Sequence, residues 1–221
     1  MKKGNRYDVS GLVEAQFERG SRGRVLKNRL GIRSRLKMDD AETTALRTAM
    51  DALVRKYDES HRFTAADICA MHRSWLIGIY EWAGEYRNVN LTKDGFPFAA
   101  AALVPSLMTR FERDVLARCT PCRSKSRDEV VRALAQAHVG LVLIHPFREG
   151  NGRRDYRPEP CRALTGMAFS SLVRVRTMVS TLAPVSMAVE LETLVMRSLR
   201  NFSGSRRYGL VSMSGFFRMA Q

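Results

Sequence analysis

Apolar residues recur every three or four positions over much of the first 150 residues, which is the spacing of one buried helix face. The first such pattern begins at Asp39 and predicts a long helix. Its buried face carries Leu46, Met50, Leu53 and Val54. The predicted core therefore begins with a helix.

A second helix is predicted after Thr64, because a threonine followed three residues later by an acidic residue, here Asp67, forms a capping box. Its apolar face runs through Ile68, Met71, Trp75 and Ile79. Helical spacing resumes between Pro105 and Leu116.

The last of these helices is predicted to follow Ser126, with Asp128 and Glu129 in a first turn that favours negative charge. Its apolar positions are Val130, Leu134, Ala137 and Leu141, with Ile144 just after them. This helix is apolar enough to be central in a helical core, and it leads directly into His145.

One stretch interrupts the helical spacing. Apolar and polar residues alternate over 88–92 and again over 96–98, and the pair Asp94-Gly95 separates the two runs. Such a pair between alternating runs predicts a β-hairpin. Pro97 cannot donate a ladder hydrogen bond, so we expect an edge strand. The predicted fold class is all-α, with one small hairpin.

The net charge of +15 is concentrated at the two ends of the chain. Residues 1–37 carry 11 Lys and Arg against 3 Asp and Glu, residues 38–150 carry 15 against 15, and residues 151–221 carry 11 against 4. A nucleic-acid domain more often places basic charge on its folded core. Nucleic acid is therefore not expected as the primary partner.

Membrane insertion is not expected, because no stretch approaches the ~20 apolar residues of a spanning helix. The start Met1-Lys2-Lys3 resembles a signal peptide, but polar Asn5 and Arg6 follow where an apolar region belongs. We expect a cytoplasmic protein, and secretion as an effector stays open.

The four cysteines include one Cys-x-x-Cys, at Cys119 and Cys122. A zinc site needs a second ligand pair, and a redox pair needs a thioredoxin-like context; the sequence supplies neither. We interpret these two as loop cysteines of a reducing compartment.

Nine residues, His145-Pro146-Phe147-Arg148-Glu149-Gly150-Asn151-Gly152-Arg153, combine a base, a carboxylate, a glycine-flanked turn and a cation. The two glycines let backbone N–H groups converge on an anion, and a helix beginning near Asn151 or Arg153 adds its free N–H groups. Glu149 offers a hard oxygen ligand for Mg²⁺. His145 can take a proton from an attacking hydroxyl, and Phe147 is expected to point inward and anchor the loop.

This segment resembles the signature of Fic domains, helical enzymes that mostly transfer AMP from ATP to a protein hydroxyl. Residues 79–100, with Tyr80-Glu81-Trp82-Ala83-Gly84-Glu85-Tyr86-Arg87, resemble the segment leading into the family's hairpin flap. Residues 21–28 are similar to N-terminal arms of bacterial Fic proteins. The fold implied is the Fic helical bundle with a small β-hairpin flap.

The resemblance implies a role for each matching residue. His145 would be the general base towards a Ser, Thr or Tyr hydroxyl, and Glu149 would bind Mg²⁺. Gly150, Asn151 and Gly152 would form the anion hole, and Arg153 would contact the phosphates of ATP. The implied activity is a protein adenylyltransferase.

The resemblance also implies partners. The flap residues Gly95, Phe96, Pro97 and Phe98 would hold a protein substrate by strand addition. Many Fic proteins are inhibited through a Ser/Thr-x-x-x-Glu-Gly/Asn motif; residues 10–14 have its spacing but end in Ala15. A separate, antitoxin-like inhibitory protein is the other option.

The tail departs from the family. The second arginine expected after Arg153 is replaced by Tyr156, and Arg157 follows one residue late, which turns a helical side chain by about 100°. Pro158 and Pro160 oppose the long helix expected at this point.

The basic charge of the first residues, the helical spacing after them and the departures after Arg153 divide the chain into a basic arm (1–37), a Fic core (38–153) and a divergent tail (154–221). We hypothesise that the tail arises from a change of reading frame after Arg153; a divergent Fic protein with a different tail is the alternative. Two other functions stay open: a catalytically impaired binding module, and transfer of another phosphate-containing group.

Overall fold

A computed structural model of the chain describes residues 11–58, 60–93, 96–121 and 126–151. Within them lie the helices α1 (Arg35–Lys56), α2 (Ala65–Leu76), α3 (Val104–Phe111), α4 (Ala117–Cys119) and α5 (Arg127–Ile144). A π-helical turn, Glu112–Leu116, joins α3 to α4, and short 3-10 turns lie at Val13–Ala15 and Ala101–Leu103. The strands are β1 (Thr92–Lys93) and β2 (Phe96–Pro97).

Helix α1 begins four residues before the predicted start, at Arg35, because Ser34 caps it by accepting a hydrogen bond from the N–H of Lys37. The helix therefore crosses the boundary drawn after Lys37. Of the four residues predicted for its buried face, Leu46 and Leu53 are buried; the other two are only partly so.

Helix α2 starts as predicted. Thr64 accepts from the N–H of Asp67, whose carboxylate accepts from the N–H of Thr64, so the capping box is complete. Glu112 adds a second contact at this end by accepting from the N–H of Ala65 at 2.7 Å. All four residues of the predicted apolar face are buried, although Ile79 lies just beyond the helix.

Helix α1 packs on α2 and on the segment just after it through polar contacts as well as apolar ones. The indole of Trp75 donates to the backbone oxygen of Glu42 at 2.8 Å, and the hydroxyl of Tyr80 donates to the carboxylate of Glu42 at 2.5 Å. Each of these side chains is at least 95% buried. These bonds hold Trp75 rigidly beside the turn that follows α5.

Helix α5 corresponds to the helix that the sequence predicts to be central in the core. Val130, Leu134, Ala137 and Ile144 are buried, and Ser126 is its N-cap residue, as the sequence pattern predicts. The helix ends at Ile144, which has no exposed surface. His145 consequently emerges directly from the core.

The hairpin is present where the alternation and the Asp-Gly pair predict it. Strands β1 and β2 are antiparallel, with Thr92 opposite Pro97 and Lys93 opposite Phe96. The N–H of Phe98 extends the pairing by donating to the backbone oxygen of Leu91 at 3.0 Å. Gly95 lies outside the described residues.

The described part of the N-terminal arm packs on the helices. Phe17 and Leu26 form an antiparallel bridge, Val25 is buried, and the N–H of Arg29 donates to the backbone oxygen of Ile79 at 2.8 Å. The all-α fold with a small hairpin is confirmed. None of the helices in the described ranges is long and apolar enough to cross a membrane.

Candidate active site

His145 occupies the C-cap position of α5 in a left-handed conformation, with φ at 52°. Its N–H donates to the backbone oxygen of Leu141 at 2.9 Å. Its Nδ1 lies 3.3 Å from the backbone oxygen of Val142, and because a carbonyl oxygen can only accept, Nδ1 carries the proton. The lone pair therefore lies on Nε2, where a base would need it.

The imidazole of His145 is stacked on Phe98 of the hairpin, with ring centroids 3.7 Å apart. Burial lowers the pKa of His145 from 6.5 to about 4, and the positive charges of Arg87 and Lys93 act in the same direction. His145 is thus neutral near pH 7 and lies against the predicted target-docking flap.

Asn151 closes the turn that follows His145. Its side-chain oxygen accepts from the N–H of Phe147 at 2.8 Å, and its amide donates to the backbone oxygen of the same residue at 2.6 Å. Both ends of this buried amide are therefore used within the turn. The Asn151 side chain thus braces the turn, and its backbone N–H is the group that it can offer to the predicted anion hole.

Phe147 is buried, as predicted, and stacks on His72 with ring centroids 3.8 Å apart. His72 is a second histidine of the site, on α2, to which the sequence pattern assigns no role. Its Nδ1 accepts from the N–H of Gly84 at 2.8 Å, so Nε2 carries the proton and donates to the backbone oxygen of Glu149 at 3.0 Å. Burial lowers the pKa of His72 to about 4.

The bond from His72 orients the peptide between Glu149 and Gly150. In a trans peptide the C=O and N–H groups point in opposite directions. Holding the oxygen of Glu149 towards His72 therefore turns the N–H of Gly150 away from the core, where an anion can reach it. In the structure that N–H lies 3.3 Å from the carboxylate of Glu149 itself.

Gly150 has φ at +80°, a conformation that favours glycine. A Cβ at this position would lie 3.1 Å from each of three atoms, on His72, Trp75 and Leu76. The turn is thus packed directly against α2, and only a glycine fits there without displacement.

Glu149 is partly exposed, and its carboxylate is the acidic group of the turn. No cluster of three or more metal-ligating side chains occurs among the described residues. Mg²⁺ is usually held by one or two carboxylates together with substrate phosphates and water, not by a cage of protein ligands. The single carboxylate therefore fits Mg²⁺ bound together with a nucleotide.

Glu14, the acidic residue of the possible inhibitory motif, is buried against the site. Its carboxylate accepts from the N–H of Asn88 at 2.7 Å, and its backbone oxygen accepts from Arg148 at 3.0 Å. The contacts of this carboxylate are thus with the segment before the hairpin.

Arg87 is the largest fully buried side chain among the described residues, and the sequence pattern assigns no role to it within the segment that resembles the family's flap. Its guanidinium donates to four backbone oxygens, on Ile144, His145, Val89 and Ala99. The predicted phosphate ligands Gly152 and Arg153 lie outside the described residues, as do Tyr156 and Arg157.

The model of the Fic/DOC family matches residues 62–154. This segment contains α2, the hairpin, α5 and the whole nine-residue motif. Residues 62–154 belong to the Fic/DOC family. The family match ends one residue after the motif, at the point where the sequence resemblance also ends.

One curated relative of this Fic domain is the probable protein adenylyltransferase y4lH of Sinorhizobium fredii, which is 28% identical over 129 residues. The match covers 58% of this chain and 65% of that protein, so the chain spans less than two thirds of this relative's length.

Two solved Fic structures share the fold. The N-terminal Fic domain of the VirB-translocated effector Bep8 from Bartonella sp. 1-1C has a TM-score of 0.57 at 19% identity, covering 88% of this chain and 89% of that one. The BepC protein of Bartonella tribocorum, solved with bound AMPPNP, has a TM-score of 0.53 at 18% identity, covering 76% and 91%.

Proposed function

We propose that this Fic protein is an adenylyltransferase that transfers AMP from ATP to a Ser, Thr or Tyr hydroxyl of a target protein, docked on the flap of Gly95, Phe96, Pro97 and Phe98. The observation that carries the proposal is the stacking of Phe98 on His145, the residue just before the 146–151 turn. This contact supports a base placed beside both the strand that would dock the target and the turn that would bind the phosphates.

The reaction would begin with proton transfer. The lone pair on Nε2 of His145 accepts the hydroxyl proton while the hydroxyl oxygen forms a bond to the α-phosphorus of ATP. The bond from that phosphorus to the bridging oxygen of the β-phosphate breaks, and pyrophosphate leaves. The products are the AMP–protein ester and pyrophosphate, with the proton on His145.

The other residues would bind and orient ATP. The N–H of Gly150, turned outward by His72, and the N–H groups of Asn151 and Gly152 would receive phosphate oxygens, and Arg153 would neutralise their charge. Glu149 would hold Mg²⁺, which supplies neutralisation of phosphate charge when bound. Positioning and charge neutralisation account for most of the catalysis in such transfers.

ATP as the donor is supported by two comparisons. The relative from Sinorhizobium fredii carries the name of a probable protein adenylyltransferase, and BepC was solved with AMPPNP, an ATP analogue. An intracellular site of action is proposed; an effector role is the alternative, since the Bep8 neighbour is a translocated effector.

The test uses purified full-length protein, Mg²⁺ and a cell lysate with ATP labelled on either the α- or the γ-phosphate. We expect protein labelling from α-labelled ATP and none from γ-labelled ATP.

The control variants are His145→Ala and His145→Asn. Asparagine tolerates the left-handed conformation and can donate to Val142, but it cannot act as a base. Both variants should abolish labelling. Labelling that survives in His145→Asn would refute the proposed base, and labelling only from a different donor would favour the alternative phosphate-containing group.

A further inference from the structure

Arg87 lies where α5, His145 and the two ends of the hairpin meet. It has 1% of its surface exposed, and its own N–H donates to the backbone oxygen of Pro146 at 2.9 Å. No carboxylate in the described ranges lies within ion-pair distance of its guanidinium. Its charge is instead surrounded by carbonyl oxygens, with Glu14 near enough to act on it electrostatically.

Two of the four backbone oxygens that accept from the guanidinium belong to the end of α5. The Nε–H of Arg87 donates to the oxygen of His145 at 2.7 Å, and an Nη2–H donates to that of Ile144 at 3.4 Å. The last carbonyl groups of a helix have no partner within the helix and carry its negative dipole end. A buried guanidinium donates hydrogen bonds to these carbonyl groups and its positive charge faces the negative end of the helix dipole. It also fixes the backbone of His145 from its C-terminal side.

The other two oxygens belong to the hairpin. An Nη1–H donates to the oxygen of Val89, just before β1, at 2.7 Å, and an Nη2–H donates to that of Ala99, just after β2. One planar group therefore joins both ends of the hairpin to the end of α5. The stacking of Phe98 on His145 lies on the same connection.

We infer that Arg87 is a positioning residue that fixes the target-docking hairpin and His145 in position relative to each other. This inference rests on the proposed function of the same site and adds a specific residue to it. The reason for an arginine is geometric. A guanidinium presents five N–H donors in a fixed planar fork, whereas the compact lysine ammonium has three and cannot span four oxygens on two elements.

The test compares Arg87→Lys with Arg113→Lys. Arg113 is an exposed arginine on the π-helical turn, so the control makes the same chemical change outside the site. The first measurement needs no activity: the pKa of His145 followed by NMR. Because Arg87→Lys retains the charge, a rise of this pKa from about 4 towards 6.5 reports exposure of the imidazole.

The second measurement compares transfer with nucleotide binding. We expect Arg87→Lys to reduce the rate of AMP transfer by at least about tenfold, because charge-assisted bonds are lost. Binding of AMPPNP should be unchanged, since His72 and Asn151 hold the nucleotide turn independently. A purely structural role would lower nucleotide binding and transfer together, and that result would overturn the inference.

Hydrogen exchange of the wild-type chain covers the case in which Arg87→Lys does not fold. We expect the amides of Phe98, Arg87 and His145 to exchange with the same protection, as one cooperative unit. A Phe98 amide that exchanges much faster than that of His145 would refute the inference. A wild-type chain without transfer activity would refute the proposed function, while the NMR and exchange measurements would still test Arg87.

Discussion

Replacing Gly150 by alanine should destabilise the fold through two separable effects. The first is conformational, since φ of +80° in a residue with a Cβ costs about 1–2 kcal/mol. The second is steric, because the new Cβ would lie 3.1 Å from Nε2 of His72, Cζ3 of Trp75 and Cδ1 of Leu76.

The steric effect is large only if those neighbours cannot move. The indole of Trp75 donates a hydrogen bond to the backbone oxygen of Glu42, and both ring nitrogens of His72 form hydrogen bonds. Leu76 has no exposed surface. Overpacking against fixed neighbours costs about 1–3 kcal/mol. Together the two effects predict a loss of about 2–5 kcal/mol in the free energy of unfolding.

Gly23→Ala isolates the conformational effect. Gly23 has φ of +70°, and an added Cβ would have nothing within 4 Å. Both substitutions change the unfolded chain equally, so the difference between them reports packing alone. Gly84→Ala extends the series, because its Cβ would lie 2.7 Å from Cβ of Arg73.

Urea unfolding at neutral pH measures all three variants beside the wild type. We expect Gly23→Ala to lower the free energy of unfolding least, Gly150→Ala to lower it more, and Gly84→Ala to lower it most. A difference below about 0.5 kcal/mol between the first two, the usual scatter of surface substitutions, would show that the turn is not packed rigidly on α2.

Three further predictions concern the same region. His72 and His145 each have a pKa of about 4 in the folded protein and 6.5 in the unfolded chain, so between these pH values only the unfolded state binds the protons. The free energy of unfolding therefore falls as the pH drops from 6.5 to 4, by about 3 kcal/mol for each histidine. Urea unfolding measured against pH should show a shallower dependence in His145→Ala than in the wild type, and an equal dependence contradicts the burial argument. Asn151→Ala leaves two backbone groups of Phe147 unpaired and should cost about 2–4 kcal/mol in urea unfolding, whereas Asn151→Asp, which retains the acceptor, should cost less. DNA sequencing past codon 153 should reveal, in another frame, an apolar helix with an arginine three residues after Arg153; if neither frame contains one, the frame change is wrong.

Local signals in the sequence predict much of the fold. The capping box of Thr64 and Asp67 involves residues three apart, and the hairpin follows from one Asp-Gly pair between alternating runs. The start of α1 at Arg35 is not predicted, for an equally local reason. Leu36 is 61% exposed, so an apolar residue in the first turn lies off the buried face and obscures the spacing.

The support of the candidate site is not local, and the sequence pattern does not indicate it. His72 contacts a residue 77 positions away, and Arg87 contacts one 58 positions away. Neither residue type is unusual in its neighbourhood. Asn151 shows the converse case: its place in the motif implies a part in the anion hole, but its side-chain amide is used within the turn, so only its backbone N–H can serve there.

Among the residues that the structure describes, three that precede Gly152 hold His145 and the turn. Arg87 fixes His145, His72 orients the peptide before Gly150, and Asn151 closes the turn. A change of reading frame after Arg153 would therefore leave the proposed base, the proposed Mg²⁺ ligand Glu149 and the hairpin with these three supports. It would remove the second phosphate-binding arginine and the helix expected to present the anion hole. Weak nucleotide binding at a correctly arranged base is then the specific defect that such a chain should show, and AMPPNP titration distinguishes it from loss of the fold.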